Sequence, residues 1–146
     1  MKNYIIICVV VISFVACEKL PGEGATSIIE GQIWKTYTGQ SEHTGLDTTY
    51  YLVPIVGKDV FIIYSNKEDE LYDDKYETDH SGRYRFEYLR KGNYTIYTYA
   101  DSMQTYNDGD LIDALLEYDY PIFKHIKIRS NNSTNRVDDF IIEKNQ

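Results

Sequence analysis

The chain's 23 Asp and Glu residues and three histidines are its candidates for proton transfer and metal binding, and their spacing serves neither. General acid–base work needs two carboxylates converging on one substrate atom. Asp73-Asp74 and Asp138-Asp139 are adjacent pairs on or near strand-like segments, where neighbouring side chains point to opposite faces. His43 has Glu42 and Asp47 nearby but no second histidine at ligand spacing, so it reads as a histidine of a solvated loop. Asp108-Gly109-Asp110 lacks the alternating oxygens and distal glutamate of a calcium loop and reads as a turn. Gly-x-Ser-x-Gly, His-Glu-x-x-His, phosphate-loop and dinucleotide motifs are absent from the sequence. These residues imply a non-catalytic protein with no metal and no cofactor. A metal-dependent enzyme is the remotest alternative.

Covalent chemistry is implied at Cys17. Lys2 precedes an uncharged, almost wholly apolar stretch, Tyr4 to Ala16, of 13 residues. That is too short to span a bilayer and right for the core of a signal peptide. Phe14-Val15-Ala16-Cys17 resembles a bacterial lipobox, with small Ala16 before the cysteine that becomes lipidated and Phe14 in place of the usual Leu. The expectation is a lipoprotein signal peptide over residues 1–16, a lipidated tether over 17–26 and one domain over 27–146. Cys17 would then join the protein to the bacterial outer membrane, on a face the sequence does not specify. Cys8 lies in the leader, so the mature domain has no thiol left to pair. Residues 18–26 combine Gly, Pro and charge, and span at most about 30 Å when extended.

The full chain carries a formal net charge of −8, and losing Lys2 with the leader makes it −9. Nucleic acid is therefore excluded as a partner. Arg90-Lys91 falls in a turn, and Lys124, Lys127 and Arg129 lie apart from it in a chain rich in acid, so no basic patch is expected. Fifteen tyrosines are the one compositional excess.

The elements that must position these residues are organised around Thr78 to Tyr94. Asp79, Ser81 and Gly82 predict a tight turn. Tyr84 and Phe86 alternate with Arg83, Arg85 and Glu87, as in a strand with one buried face. Leu89 caps the core, Gly92-Asn93 turns the chain, and Tyr94 to Ala100 alternates again. Ile28 to Tyr37 predicts a first strand and Val60 to Tyr64 a buried one. Leu71 to Thr78 predicts a polar strand, and Ile122–Arg129 and Val137–Ile142 the last two. Leu111, Leu115 and Tyr118, after Asp110 as a cap, predict a two-turn helix ended by Pro121.

The pattern Thr78-Asp79-x-x-Gly82-x-Tyr84-x-Phe86-x-x-Leu89-x-x-Gly92-x-Tyr94 resembles the signature of carboxypeptidase regulatory-like domains, which are transthyretin-like (prealbumin-like) β-sandwiches. Ile29-Glu30-Gly31-Gln32-Ile33 is similar to that family's opening strand, and Pro54-Ile55-Val56-Gly57-Lys58-Asp59-Val60 to its lead into the second. The resemblance covers roughly residues 27–100 well. It implies an all-β, seven-stranded Greek-key sandwich, here with a short helical insertion, and an accessory, spacer or binding role. Residues 38–53 and 101–120 stand as insertions where the family has short connections.

Tyr97 and Tyr99 oppose the core by parity, and outward tyrosines offer rigid amphipathic area suited to glycan or protein. Were both insertions on one side, Tyr50, Tyr51 and Tyr106 would extend that surface. Trp34, on the outer face of the first strand, is a further contact candidate. The expected function is a lipid-anchored, non-catalytic envelope module that binds glycan or an envelope protein. The alternative is a structural spacer, in whose relatives a Lys–Asn isopeptide bond can occur; Lys35 and Asn145 are the possible ends.

Overall fold

The computed structural model describes residues 20–40, 48–106 and 114–143, with side chains described for 20–36, 51–100 and 119–142. Cys17, the leader, His43 and Asp108-Gly109-Asp110 lie outside them. The described chain is all β: β1 (Glu23–Gln40), β2 (Thr48–Pro54), β3 (Asp59–Ile63), β4 (Asp74–Glu77), β5 (Arg83–Leu89), β6 (Gly92–Tyr106), β7 (Ala114–Ile128), β8 (Thr134–Arg136) and β9 (Phe140–Glu143).

Two sheets face each other in a sandwich-like arrangement. One has the order β4-β3-β6-β7, all antiparallel. The other is built on β1, whose two edges are both used. Ile29 pairs with Phe86 of β5 and with Asn135 of β8; Trp34 pairs with Pro54 of β2 and with Ile141 of β9. The expected last strand, Val137–Ile142, is a strand only from Phe140 onward, as β9; β8 lies before it, and Val137 to Asp139 separate the two as they pair in parallel along β1. Nine strands therefore stand among the described residues where seven were expected.

The period-2 reading of the strands holds in the core. Ile29 and Ile33 of β1, Val60 and Ile62 of β3, Tyr84 and Phe86 of β5, Tyr94, Ile96 and Ala100 of β6, and Phe140 and Ile142 of β9 form one buried cluster. Every residue of that cluster falls between Ile29 and Ile142.

The signature residues are structural. Asp79 Oδ1 accepts hydrogen bonds from the backbone N–H of Ser81 and Arg83, at 2.7 and 3.0 Å. Those bonds, Arg83's first, hold its carboxyl below the usual carboxylate range. Gly82 sits at φ +72°, as the turn requires. Thr78 Oγ1 donates to the carbonyl of Ile55 at 2.7 Å and accepts from the N–H of Lys58 at 2.9 Å, so it ties the lead into β3 to this turn. Tyr94 Oη accepts from Gly22 N–H at 3.0 Å and donates to the Arg90 carbonyl at 2.7 Å, pinning the start of the chain to the β5–β6 turn.

The helix expected over 110–118 is not formed where the chain is described. Ala114 to Tyr118 belong to β7 and pair with Ser102 to Tyr106 of β6, while Asp110 and Leu111 lie outside the described residues. The reason is long-range pairing. A two-turn helix closes only a few hydrogen bonds of its own and needs its own nucleus, whereas 114–118 as strand continue the one ladder that runs from Tyr106↔Ala114 to Gly92↔Ile128. Pro121 does not end an element; it sits within β7 opposite Tyr99, its ring exposed. The two insertions thus lengthen two different hairpins, β1–β2 in one sheet and β6–β7 in the other.

Candidate functional site

The alternation that sends Val60, Ile62, Tyr94, Ile96 and Ala100 inward sends Phe61, Tyr97 and Tyr99 outward on the β4-β3-β6-β7 sheet. Pairing then aligns them. Phe61 is opposite Tyr97 on the next strand, and Tyr97 is opposite Phe123 on the strand after that.

The rings make continuous contact across the three strands. Phe61 and Tyr97 stack with centroids 4.9 Å apart and planes 18° from parallel. Phe123 lies 5.1 Å from Tyr97. Tyr99 meets Phe61 edge-on at 5.9 Å and Tyr97 edge-on at 5.8 Å. Tyr72, from the segment before β4, closes the group 4.9 Å from Phe61. Edge-on and offset contacts suit the negative faces and positive rims of these rings, which fixes them in place before any ligand arrives.

Exposure separates floor from contact surface. Tyr97 is 8% exposed and is the floor, while Tyr99 at 37% and Tyr72 at 49% stand open. Burial, then Tyr99, Tyr72 and a hydrogen bond from the Tyr99 side chain, push the Tyr97 phenol up, so it stays protonated at neutral pH. At the β4 side, Lys75 Nζ lies 3.1 Å from Asp59 Oδ2. Both groups are exposed at about 41%, which places a cationic donor and an anionic acceptor on this sheet beside the rings.

Further along the same face, Thr95 Oγ1 lies 3.0 Å from His125 Nδ1, and His125 Nε2 lies 3.0 Å from Glu68 Oε1. The order hydroxyl–imidazole–carboxylate is that of a nucleophilic relay. Thr95 cannot serve one: it is fully buried, and its hydroxyl donates to the Ser65 carbonyl at 2.8 Å, so its proton is not directed at the imidazole. Among the described residues no three His, Cys, Asp or Glu side chains gather as metal ligands.

The residues singled out from sequence do not form one surface. Tyr97 and Tyr99 lie in contact on one outer face, but Tyr97 is buried and only Tyr99 is open to solvent. Trp34 is on the other sheet, half-buried, with its indole N–H donating to Asp139 Oδ2 at 3.0 Å. Tyr51 is exposed at 57%, also on that sheet, opposite Tyr37. Tyr50 and Tyr106 are placed on β2 and β6, but their side chains lie outside those described. Lys35 lies on β1, and Asn145 is outside the described residues. Sequence reasoning missed Phe61, Phe123 and Tyr72. Parity within Val60–Tyr64 would have turned Phe61 outward, but the positions of Phe123 and Tyr72 depend on cross-strand register and a loop path.

No family model matches the chain, and no curated protein matches its sequence. Among solved structures, a Pseudomonas aeruginosa protein described as a candidate carbohydrate binding protein aligns at 11% identity and a TM-score of 0.47, over 84% of this chain and 91% of that one. A likeness of that size does not establish a shared ligand.

Proposed function

We propose that this chain is a lipid-anchored, non-catalytic module of the bacterial outer membrane whose β4-β3-β6-β7 face binds glycan. The observation that carries the ligand is the cluster on the outer face of the sheet, in which Tyr72 and Tyr99 stand open over Phe61, Tyr97 and Phe123. Aromatic rings buried in a core need no partner, but rings locked in mutual contact on an outer face offer a firm apolar floor with open edges. A sugar ring presents a face of weakly positive C–H groups that suits such a floor, and its hydroxyls need donors and acceptors at the rim. Lys75 and Asp59 supply both. The anchor rests on the Lys2 to Cys17 pattern. The carboxypeptidase regulatory-like, Greek-key assignment is supported by the structural work found for Thr78, Asp79, Gly82 and Tyr94, and an accessory role is usual for such sandwiches.

The test is a glycan array with the domain from residue 18 onward, beside a Tyr72→Ala/Tyr99→Ala variant. The variant should keep its melting temperature to within a few degrees, since both side chains are exposed, and lose binding at least ten-fold, as expected for removing two stacking rings at about 1 kcal/mol each. Retained binding removes this face as the site. No binding to any glycan favours the spacer reading.

A further inference from the structure

The structure brings two pairs of cations, far apart in the sequence, into one place. Arg90 and Lys91 come from the β5–β6 turn, Lys127 from the end of β7 and Arg129 from just beyond it, and all four line one open cleft of about 810 Å³ at the start of the chain. The register that sets Asn93 opposite Lys127 and Gly92 opposite Ile128 brings them together. Among the described residues no carboxylate lines the cleft. None of the four is in any of the ion pairs found among the described residues. In a chain of net charge −8, such a concentration of one sign goes against the overall balance.

The cleft is also built. Gly24, at φ +109°, lets the Arg90 guanidinium lie against the backbone, where a Cβ would come within 2.6 Å of Nη2. Arg90 Nε is buried with no hydrogen-bond partner among the described residues. Leu20, at the mouth, is 80% exposed. Leu20 is the third residue after Cys17, a reach of at most about 10 Å. That is close to the screening length of about 8–10 Å at physiological salt, so charges in this cleft would still act on head groups at the anchoring surface.

We propose that this cleft is a second, electrostatic membrane contact that binds the phosphate head groups of an anionic bilayer beside the lipidated cysteine. It rests on the anchored reading for its orientation. Its chemistry is that of guanidinium and ammonium groups on phosphate oxygens. Acyl chains hold a protein to a bilayer without fixing which side of the domain faces it, and a basic patch is a usual additional contact. The remainder of the acidic surface is repelled by the same bilayer, so the contact also holds the domain with this pole toward the membrane and its far end away from it.

The experiment uses residues 18–146, which contain every core residue and lack Cys17. Co-sedimentation is measured with vesicles of phosphatidylcholine alone and of phosphatidylcholine mixed with phosphatidylglycerol, at low and high salt, with inorganic phosphate titrated separately. The domain should bind the mixed vesicles only, lose binding as salt rises, and show no saturable binding of free phosphate. Lys91→Gln/Lys127→Gln should weaken vesicle binding roughly five-fold for each cation removed, while Lys67→Gln, outside the cleft, leaves it unchanged. Arg129→Gln alone is the second variant should the pair fail to fold. Equal binding to both vesicle types, equal loss in Lys67→Gln, or capture of inorganic phosphate without vesicle recruitment overturns the proposal. Because Cys17 is absent, a failure of lipidation in cells overturns the anchored reading without changing this result.

Discussion

Gly82 and Gly57 both have left-handed backbones, at φ +72° and +69°, yet their surroundings differ completely. A Cβ on Gly57 would meet nothing within 4 Å. A Cβ on Gly82 would stand 2.6 Å from the Ile33 carbonyl oxygen, 2.9 Å from Pro54 Cβ and 3.1 Å from the Ile55 nitrogen. These are backbone and proline atoms that cannot rotate away. Gly57→Ala should therefore report backbone strain alone, about 1 kcal/mol. Gly82→Ala adds displacement of the Ile33 N–H to Gly82 carbonyl bond at 2.8 Å and the Ile55 N–H to Ile33 carbonyl bond at 3.1 Å. At about 1 kcal/mol for each bond weakened, its total comes to about 3 kcal/mol. Alanine also stiffens the unfolded chain, by about 0.4–1 kcal/mol in favour of folding, but equally in both variants, so the difference is unaffected. For a domain of this size the two melting temperatures should fall by roughly 10 °C and roughly 4 °C. Calorimetry on the two variants beside the parent decides it. Equal shifts would refute the claim that Gly82 is chosen by contact with β1 and the lead into β3 as well as by its turn.

Three further outcomes are expected. Tyr94→Phe leaves the buried N–H of Gly22 and the Arg90 carbonyl without their shared hydroxyl; urea unfolding should show a loss of about 1–3 kcal/mol at unchanged slope, and a loss below about 0.5 kcal/mol would mean the start of the chain is not pinned there. Tyr64 is pushed up to about 12, by burial first and then by Glu23, and Tyr84 is raised further by burial. Their unfolded phenols ionise near 10, so the folded state holds the protons longer; stability should be complete below about pH 10 and fall as pH rises through 12, and absorbance at alkaline pH should show Tyr64 ionising near 12 and Tyr84 later still. Cys17→Ala should move the protein from the detergent phase to the aqueous phase and abolish fatty-acid labelling; a variant that still labels would end the lipoprotein reading.

Much of the strand pattern could be read directly, because a strand with one buried face writes its burial into alternate residues. Tyr84, Phe86, Tyr94 and Ile96 are inward as parity says, and Asp79-x-x-Gly82 is the turn its side chains favour, since those hydrogen bonds close within four residues. The outward placement of Tyr97 and Tyr99 follows from the same rule. Local chemistry failed where a distant partner set the outcome. Leu111, Leu115 and Tyr118 have helical spacing, but Tyr118 and its neighbours from Ala114 pair with β6 because a ladder was already running past them.

What the sequence determined by itself about this protein is therefore its local grammar: an acidic all-β chain, with turns at Gly82 and Gly92 and a known inward face for each central strand. Only the tertiary structure decided what the outward residues form. Phe61, Tyr97 and Phe123 are 36 and 26 residues apart in sequence and become neighbours through register alone. Trp34 and Tyr51, which composition alone would group with them, lie on the opposite sheet because β1 pairs with β2 and not with β6. Arg90 and Lys91 stand some 36 residues before Lys127 and Arg129 in the chain, yet the register of β6 with β7 leaves the four cations in one cleft. Parity can say which way a side chain points, but its company is set by strand order, register and loop path, which are properties of the whole packed chain.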